Sequence, residues 1–284
     1  MLVAAAAVLG GCAPGRGADH DEADAPQATP LSAVPRVAWV FGSGGPRGFV
    51  HVGVIKALEE LGLKPDLIVG TSVGAFVGTL CAAGLPAGEL QRLALDTQPW
   101  SLLRWNPADP ARLSGAALAR FVNERLDHRP LQQLPTPAVC AVQRLRDGAV
   151  IGLNHGNAGV AVQASSAIEA RFSPVMIRGE LFADADLRMP LPVRLARSLG
   201  AMRVLAIDAS AHEQHAPAAA AEYREADLRK RALTQPDTDA ADLVLHPDLG
   251  YWAGFTREYR ERLISIGYRD TLARAQALRA LHAR

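Results

Sequence analysis

Aromatic residues are scarce in this chain of 284 residues, at 5% against 49% hydrophobic residues in all. Ala, Leu and Val must therefore fill any core. Cysteine is scarcer still, at three residues: Cys12, Cys81 and Cys140. They form no C-x-x-C pair, and no histidine clusters with them at metal-ligand spacing, which argues against a zinc or other metal site. Cys81 and Cys140 lie in apolar runs and read as buried thiols rather than as a disulfide or a nucleophile. Blocks of one charge are missing too. Lys and Arg are interspersed with Asp and Glu, the formal net charge is +1, and no basic patch suggests nucleic acid. The apolar run over residues 2–11 is too short to span a bilayer. Charged residues at 21% with so many apolar ones describe a folded globular chain.

The same run, LVAAAAVLGG, leads straight into Cys12. It has the character of a signal-peptide apolar region, and its end, Leu9-Gly10-Gly11-Cys12, resembles the lipobox of bacterial lipoproteins. That resemblance implies cleavage before Cys12, a diacylglycerol on its thiol, and placement on the periplasmic side of a bacterial cell envelope, anchored in the inner or outer membrane. Residues 12–35, rich in Ala, Pro, Asp and Gly without an apolar period, read as a flexible tether. Residues 36–284 then form one domain, with no internal repeat.

Within that domain the run at 37–41 (VAWVF) predicts a buried strand. Apolar residues at helical spacing over 50–61 end at Gly62. A second short strand at 67–69 leads through a sharp turn into a small-residue helix over 75–83. This alternation predicts an α/β fold: three layers, helix on sheet on helix, around a mainly parallel central sheet. Further on, 87–130 reads as helical with a break near 100–110. Strands are expected at 138–142, 149–153, 204–207 and 243–245. A strand end running into a helix is expected at 158–168, a polar, solvated helix at 218–233, and one or two amphipathic helices over 256–283. Leu85, Leu90, Leu93, Trp100, Leu102, Leu103, Trp105, Leu113 and Leu118 suit either a lid and acyl groove or the core.

Three segments carry chemistry. Gly70-Thr71-Ser72-Val73-Gly74 is G-x-S-x-G between a strand and a helix, which suits a nucleophile elbow; its plain alternative is a glycine loop with Ser72 as a helix cap. Gly42-Ser43-Gly44-Gly45-Pro46-Arg47-Gly48, also between strand and helix, lets successive N–H groups converge on an anion. Its spacing matches neither a dinucleotide fingerprint nor a Walker loop, so a tetrahedral oxyanion is the other candidate. Asp184, in LFADADLRMPLPV, sits where a loop would leave a strand and is able to act as a base; Asp186 is a rival. His246 is the best candidate for a third member of a Ser–His–Asp triad, being late in the chain after a strand. His51 reads as a helix-packing residue and His155 as a turn residue.

Together these segments resemble the patatin-like phospholipase family in its bacterial form. The matching stretches are Ser43 to Gly48, His51 to Glu60, Gly70 to Gly74, Ala164 to Ile168, and Asp184 to Asp186 with Pro190 and Pro192. The resemblance runs from about residue 37 to about 193 and more weakly beyond. It implies the patatin-like fold and a lipid acyl hydrolase (phospholipase A, lysophospholipase or carboxylesterase) that works through a Ser–Asp dyad. Ser72 would be the nucleophile and Asp184 the base. Gly44 and Gly45, with Arg47 alongside, would form the oxyanion hole, and Gly70 and Gly74 the elbow. It implies no metal and no cofactor, and a phospholipid or other acyl ester as substrate. The chain departs from the pattern at Ser43, at Ala185 and at Glu169-Ala170, each in place of residues that include glycine. Those changes leave open a weakly active or inactive envelope lipoprotein that binds lipid or a partner.

Overall fold

Apolar runs such as those at 37–41 and 204–207 have no polar face, so they are stable only between two covering layers. The computed structural model describes residues 19–106 and 112–283. Its strands are β1 (Asp19–His20), β2 (Val37–Phe41), β3 (Leu67–Thr71), β4 (Arg104–Trp105), β5 (Leu113–Ser114), β6 (Ala138–Arg144), β7 (Val150–Leu153), β8 (Val175–Ile177), β9 (Glu180–Asp184), β10 (Arg203–Ile207) and β11 (Leu243–Leu245). Its helices are α1 (Phe49–Glu60), α2 (Val73–Ala82), α3 (Ala87–Asp96), α4 (Ala116–Arg125), α5 (Ala158–Ser165), α6 (Val193–Ser198), α7 (Arg224–Asp239), α8 (Arg257–Ala273) and α9 (Ala275–His282). The main sheet runs β1-β8-β9-β6-β3-β2-β10-β11, with β7 also on β6. Its centre, β6-β3-β2-β10-β11, is parallel; β9 joins β6 and β8 antiparallel, as β7 joins β6. This is the mainly parallel sheet between helices that the sequence predicts.

Residue alternation sorts the core into two layers. Val37, Trp39, Phe41, Ile68, Leu205 and Ile207 face one side, where α1, α2 and α5 pack on them. Ala38, Val40, Leu67, Val69, Val204 and Ala206 face the other, against Val193 and Ala196 of α6. Each strand thus buries both faces at a side-chain period of two. Helix α8 lies on α1 at a glycine crossing: a Cβ on Gly53 would stand 2.0 Å from the Ile264 carbonyl oxygen, and one on Gly267 2.4 Å from that of Val50.

Several expectations are corrected. Residues 158–165 are helix throughout, with Asn157 capping through its side chain. The hairpin β8–β9 has no counterpart in the sequence reading. The polar helix begins as a 3₁₀ turn, and α7 proper continues to Asp239 through Pro236. The flexible tether expected over 12–35 is not what the described part of that stretch forms. Strand β1 pairs with β8; Gln27 and His155 exchange backbone hydrogen bonds of 3.0 and 3.2 Å; Thr29 and the Asn154 amide bond reciprocally at 2.8 Å. Backbone pairing, rather than an apolar stripe, pins this segment to the domain. Cys12 and the lipoprotein-type signal over 1–11 lie outside the described residues. No described helix is long and apolar enough to cross a membrane.

Candidate active site

Strand register brings Ser72 and Asp184 together. Thr71 on β3 pairs with Ala141 on β6, and Asp184 on β9 pairs with Val142 on the other edge of β6. Two inter-strand spacings, roughly 10 Å between backbones, separate the two residues, a gap their side chains reach across. The chain leaves β3 at Ser72 with φ 58° and ψ −124°, then enters α2. This is a strained turn for a residue with a Cβ. It requires bare neighbours: a Cβ on Gly70 would lie 2.4 Å from the Ala75 nitrogen, and one on Gly74 2.1 Å from the Phe41 carbonyl oxygen. The Ser72 amide donates to Ser165 Oγ at 3.0 Å, and that hydroxyl donates to the Ala141 carbonyl at 2.7 Å. Thr71 Oγ1 donates to the Met189 carbonyl at 3.0 Å, tying the elbow to the segment after β9.

Asp184 is 2% exposed. Its Oδ1 accepts the Asp186 amide at 2.9 Å, while its buried Oδ2 has no hydrogen-bond partner. Burial raises its pKa to about 7, helped by the Asp186 charge; the Ser72 hydroxyl, the Asp186 amide and the Lys230 ammonium pull the other way. The hydroxyl therefore faces the carboxyl without closing a hydrogen bond of ordinary geometry to Oδ2. Such contacts in unliganded sites commonly tighten when substrate arrives.

The glycine turn divides its amides by use. Gly42 donates to the Ile207 carbonyl at 2.9 Å and Ser43 to that of Pro190 at 2.8 Å, which anchors the turn. The amides of Gly44 and Gly45 donate to no acceptor among the described residues, and Gly45 carries the turn's left-handed conformation, φ 53°. Ser43 needs no such angle, so a side chain there costs no backbone strain. Buried His51 holds the turn from beneath, its Nε2 2.8 Å from the Gly42 carbonyl oxygen; burial lowers its pKa to about 4 and keeps it neutral. Arg47 turns its guanidinium away to the Tyr251 carbonyl. It lines a polar cavity of about 380 Å³ with Asp208, His212, Lys230 and His246, which includes neither Ser72 nor Asp184. The side chain thus anchors the turn.

Ala185, where the resemblance places glycine, has no left-handed angle; it opens a 3₁₀ turn capped by Asp184. Ala170 does carry one, at φ 63°. His246 stacks on His212 with ring centroids 3.9 Å apart, and its Nε2 lies 3.8 Å from an Asp208 oxygen and 3.3 Å from Ser210 Oγ. Its partners thus belong to that cluster, not to Ser72 or Asp184. His155 meets Gln27. Both described cysteines are free thiols whose pKa values burial pushes up to about 12, unsuited to nucleophilic attack.

An apolar cavity of about 170 Å³ adjoins the glycine turn and the start of α2. Gly45, Val73, Phe76, Val77, Leu90, Leu93, Leu102 and Phe255 contribute to its wall. The leucines of the 85–118 stretch divide between roles, for Leu90 and Leu93 are core residues that also face this cavity, while Trp100 and Trp105 are exposed. A larger cavity, about 780 Å³, lies among residues 20–26, 106–128 and 157–176 and contains neither Ser72 nor Asp184. Size alone therefore does not mark the site. Unforeseen in the sequence were the role of Ser165, marked there only as part of the stretch Ala164 to Ile168, and Lys230, which reaches Ser43 and Asp186 from α7.

Known proteins resemble this chain in sequence and in fold. An uncharacterised NTE family protein of Mycobacterium tuberculosis is 34% identical over 188 residues, covering 64% of this chain and 51% of that protein. A lysophospholipase of Coccidioides immitis is 29% identical over 196 residues, covering 64% of this chain and 12% of its own length. The chain thus spans about half, or much less, of the curated relatives it matches. The fold is similar to that of VipD from Legionella pneumophila, with a TM-score of 0.58 at 13% identity, over 94% of this chain and 71% of that one. The profile of the patatin-like phospholipases matches residues 39–197, more than half of the chain, and the protein belongs to the patatin-like phospholipase family.

Proposed function

We propose that this protein is a lipid acyl hydrolase in which Ser72 attacks an ester carbonyl and Asp184 is its base. The observation that carries the reading is one juxtaposition. A serine on a strained elbow faces a buried carboxyl with a pKa of about 7, beside two unpaired turn amides. Asp184 takes the Ser72 proton as Oγ bonds to the acyl carbon, and the amides of Gly44 and Gly45 hold the resulting oxyanion. Collapse returns the proton to the departing alcohol and leaves an acyl ester on Ser72. Water, deprotonated by Asp184, then releases the fatty acid. A base with a pKa near the working pH combines sufficient ionisation with sufficient proton affinity, and losing one oxyanion donor typically costs on the order of 3 kcal/mol.

The apolar cavity beside Gly45 and Val73 suits an acyl chain. With the family membership, it favours phospholipids or lysophospholipids over small polar esters. A panel of p-nitrophenyl esters and phospholipids tests the reading: wild type should hydrolyse members with long chains, and Ser72→Ala and Asp184→Asn should reduce turnover by about a thousandfold or more. His246→Ala should retain most activity; its loss together with the other two would favour a triad.

A further inference from the structure

Ser43 of the glycine turn and Asp186 of the turn after β9 touch each other, and both touch Lys230. We propose that Ser43, Asp186 and Lys230 form one positioning unit, which clamps the oxyanion turn to the Asp184 loop and supplies a counter-charge for acyl transfer. The idea rests on the Ser72–Asp184 reading above.

The three residues come from three separate segments: the glycine turn, the 3₁₀ turn after β9, and α7. Ser43 Oγ donates to Asp186 Oδ1. Lys230 Nζ donates to the same carboxylate oxygen and, at 3.0 Å, to Ser43 Oγ, closing a triangle. Ser43 is buried at 3% exposure, and the Lys230 and Asp186 side chains are 29% and 30% exposed. The triangle connects directly to the candidate base, because the Asp186 amide donates to Asp184 Oδ1 at 2.9 Å. Lys230 is held in register from further along its own helix. Fully buried Asp237 on α7 accepts the Arg194 amide at 2.8 Å and that residue's guanidinium at 3.1 and 3.2 Å. A charge placed by a whole helix is costly to move, so it is preorganised in the sense that matters for transition-state stabilisation.

Two charged groups act on Asp184, Asp186 from its own loop and Lys230 from α7, and the neutral Ser72 hydroxyl meets it from the elbow. Asp186 and Lys230 act on it with opposite signs. Removing one should therefore do the reverse of removing the other, which no purely structural role would produce. Without Lys230 the carboxylate is harder to ionise; without the Asp186 charge it is easier.

The test is the pH profile of kcat/KM on a soluble p-nitrophenyl ester for wild type, Lys230→Met, Lys230→Arg, Asp186→Asn and the double variant Lys230→Met/Asp186→Asn. For Lys230→Met the acid limb should move to higher pH, and a limb displaced by about one pH unit lowers activity at pH 6 about tenfold. For Asp186→Asn it should move to lower pH. The arginine variant should restore the wild-type limb, and the double variant should lie between the singles. Thermal melts identify a variant that fails to fold; should Lys230→Met be one, the downward movement of the Asp186→Asn limb decides alone. An unmoved limb in folded Asp186→Asn, or movement in the same direction in both single variants, would overturn the proposal. Persistent hydrolysis by Ser72→Ala, run alongside, would instead overturn the dyad reading beneath it.

Discussion

At Asp184 the site opposes the fold. A carboxyl whose pKa is raised by burial binds its proton more tightly in the folded state than in the unfolded chain. The stability this gives is fully present below the unfolded value near 3.8 and is lost as pH rises through about 7. Above that, an ionised and half-partnered carboxylate is a burden that only function justifies. Asp184→Asn should thus melt at a higher temperature than wild type at pH 8 and lose that advantage at pH 4, while activity disappears; melting curves at the two pH values check it. Ala170 is strained in a different way. It is exposed, and an alanine at φ 63° costs about 1–2 kcal/mol, against which glycine's added freedom in the unfolded chain costs about 0.4–1 kcal/mol. Ala170→Gly should gain about 0.5–1 kcal/mol, raising the melting temperature by about 2 °C, with activity unchanged.

Elements differ in how openly the sequence declares them. β2, β3 and β10 are legible because strands buried on both faces need unbroken apolar stretches, here 37–41, 67–69 and 204–207. The elbow is legible because glycine brackets Ser72 on both sides. Helix α5 is not, since a helix of small apolar residues enclosed on all sides has no polar face to reveal its period. The hairpin β8–β9 escapes because its strands are short and its turn, Arg178-Gly179, has both residues left-handed without the usual Asn-Gly signature. Lys230 escapes because charged and polar residues dominate α7, and nothing in such a helix marks which charge turns inward. Helices α2 and α3 also frame the apolar cavity together with the segment at Pro99–Leu102. Leu102 is half-buried there, so Leu102→Trp should narrow the cavity with little effect on folding. Activity on long-chain p-nitrophenyl esters should fall several-fold relative to short-chain ones, as a chain-length series measured on both proteins would show.

For the molecule as a whole, a parallel sheet sets the geometry of the site through register. β6 carries Ser72 and Asp184 on its two flanking strands, and the crossovers α1 and α2 start at the turns that follow β2 and β3. The glycine turn contributes to two cavities, a polar one through Arg47, shared with Lys230, and an apolar one through Gly45, Pro46 and Gly48, walled by Phe76 and Leu93. An amphiphile with an acyl chain is the kind of molecule such a surface suits. In the proposed mechanism the carboxylate of Asp184 activates the hydroxyl of Ser72. That activation is tested most directly by the rate at which a fluorophosphonate probe labels the protein between pH 5 and 9, with the modified peptide identified by mass spectrometry. Label should fall on Ser72 alone, at a rate that rises with pH through about 7 in wild type and is abolished in folded Asp184→Asn. Label at another residue, or an undiminished rate in Asp184→Asn, would contradict it.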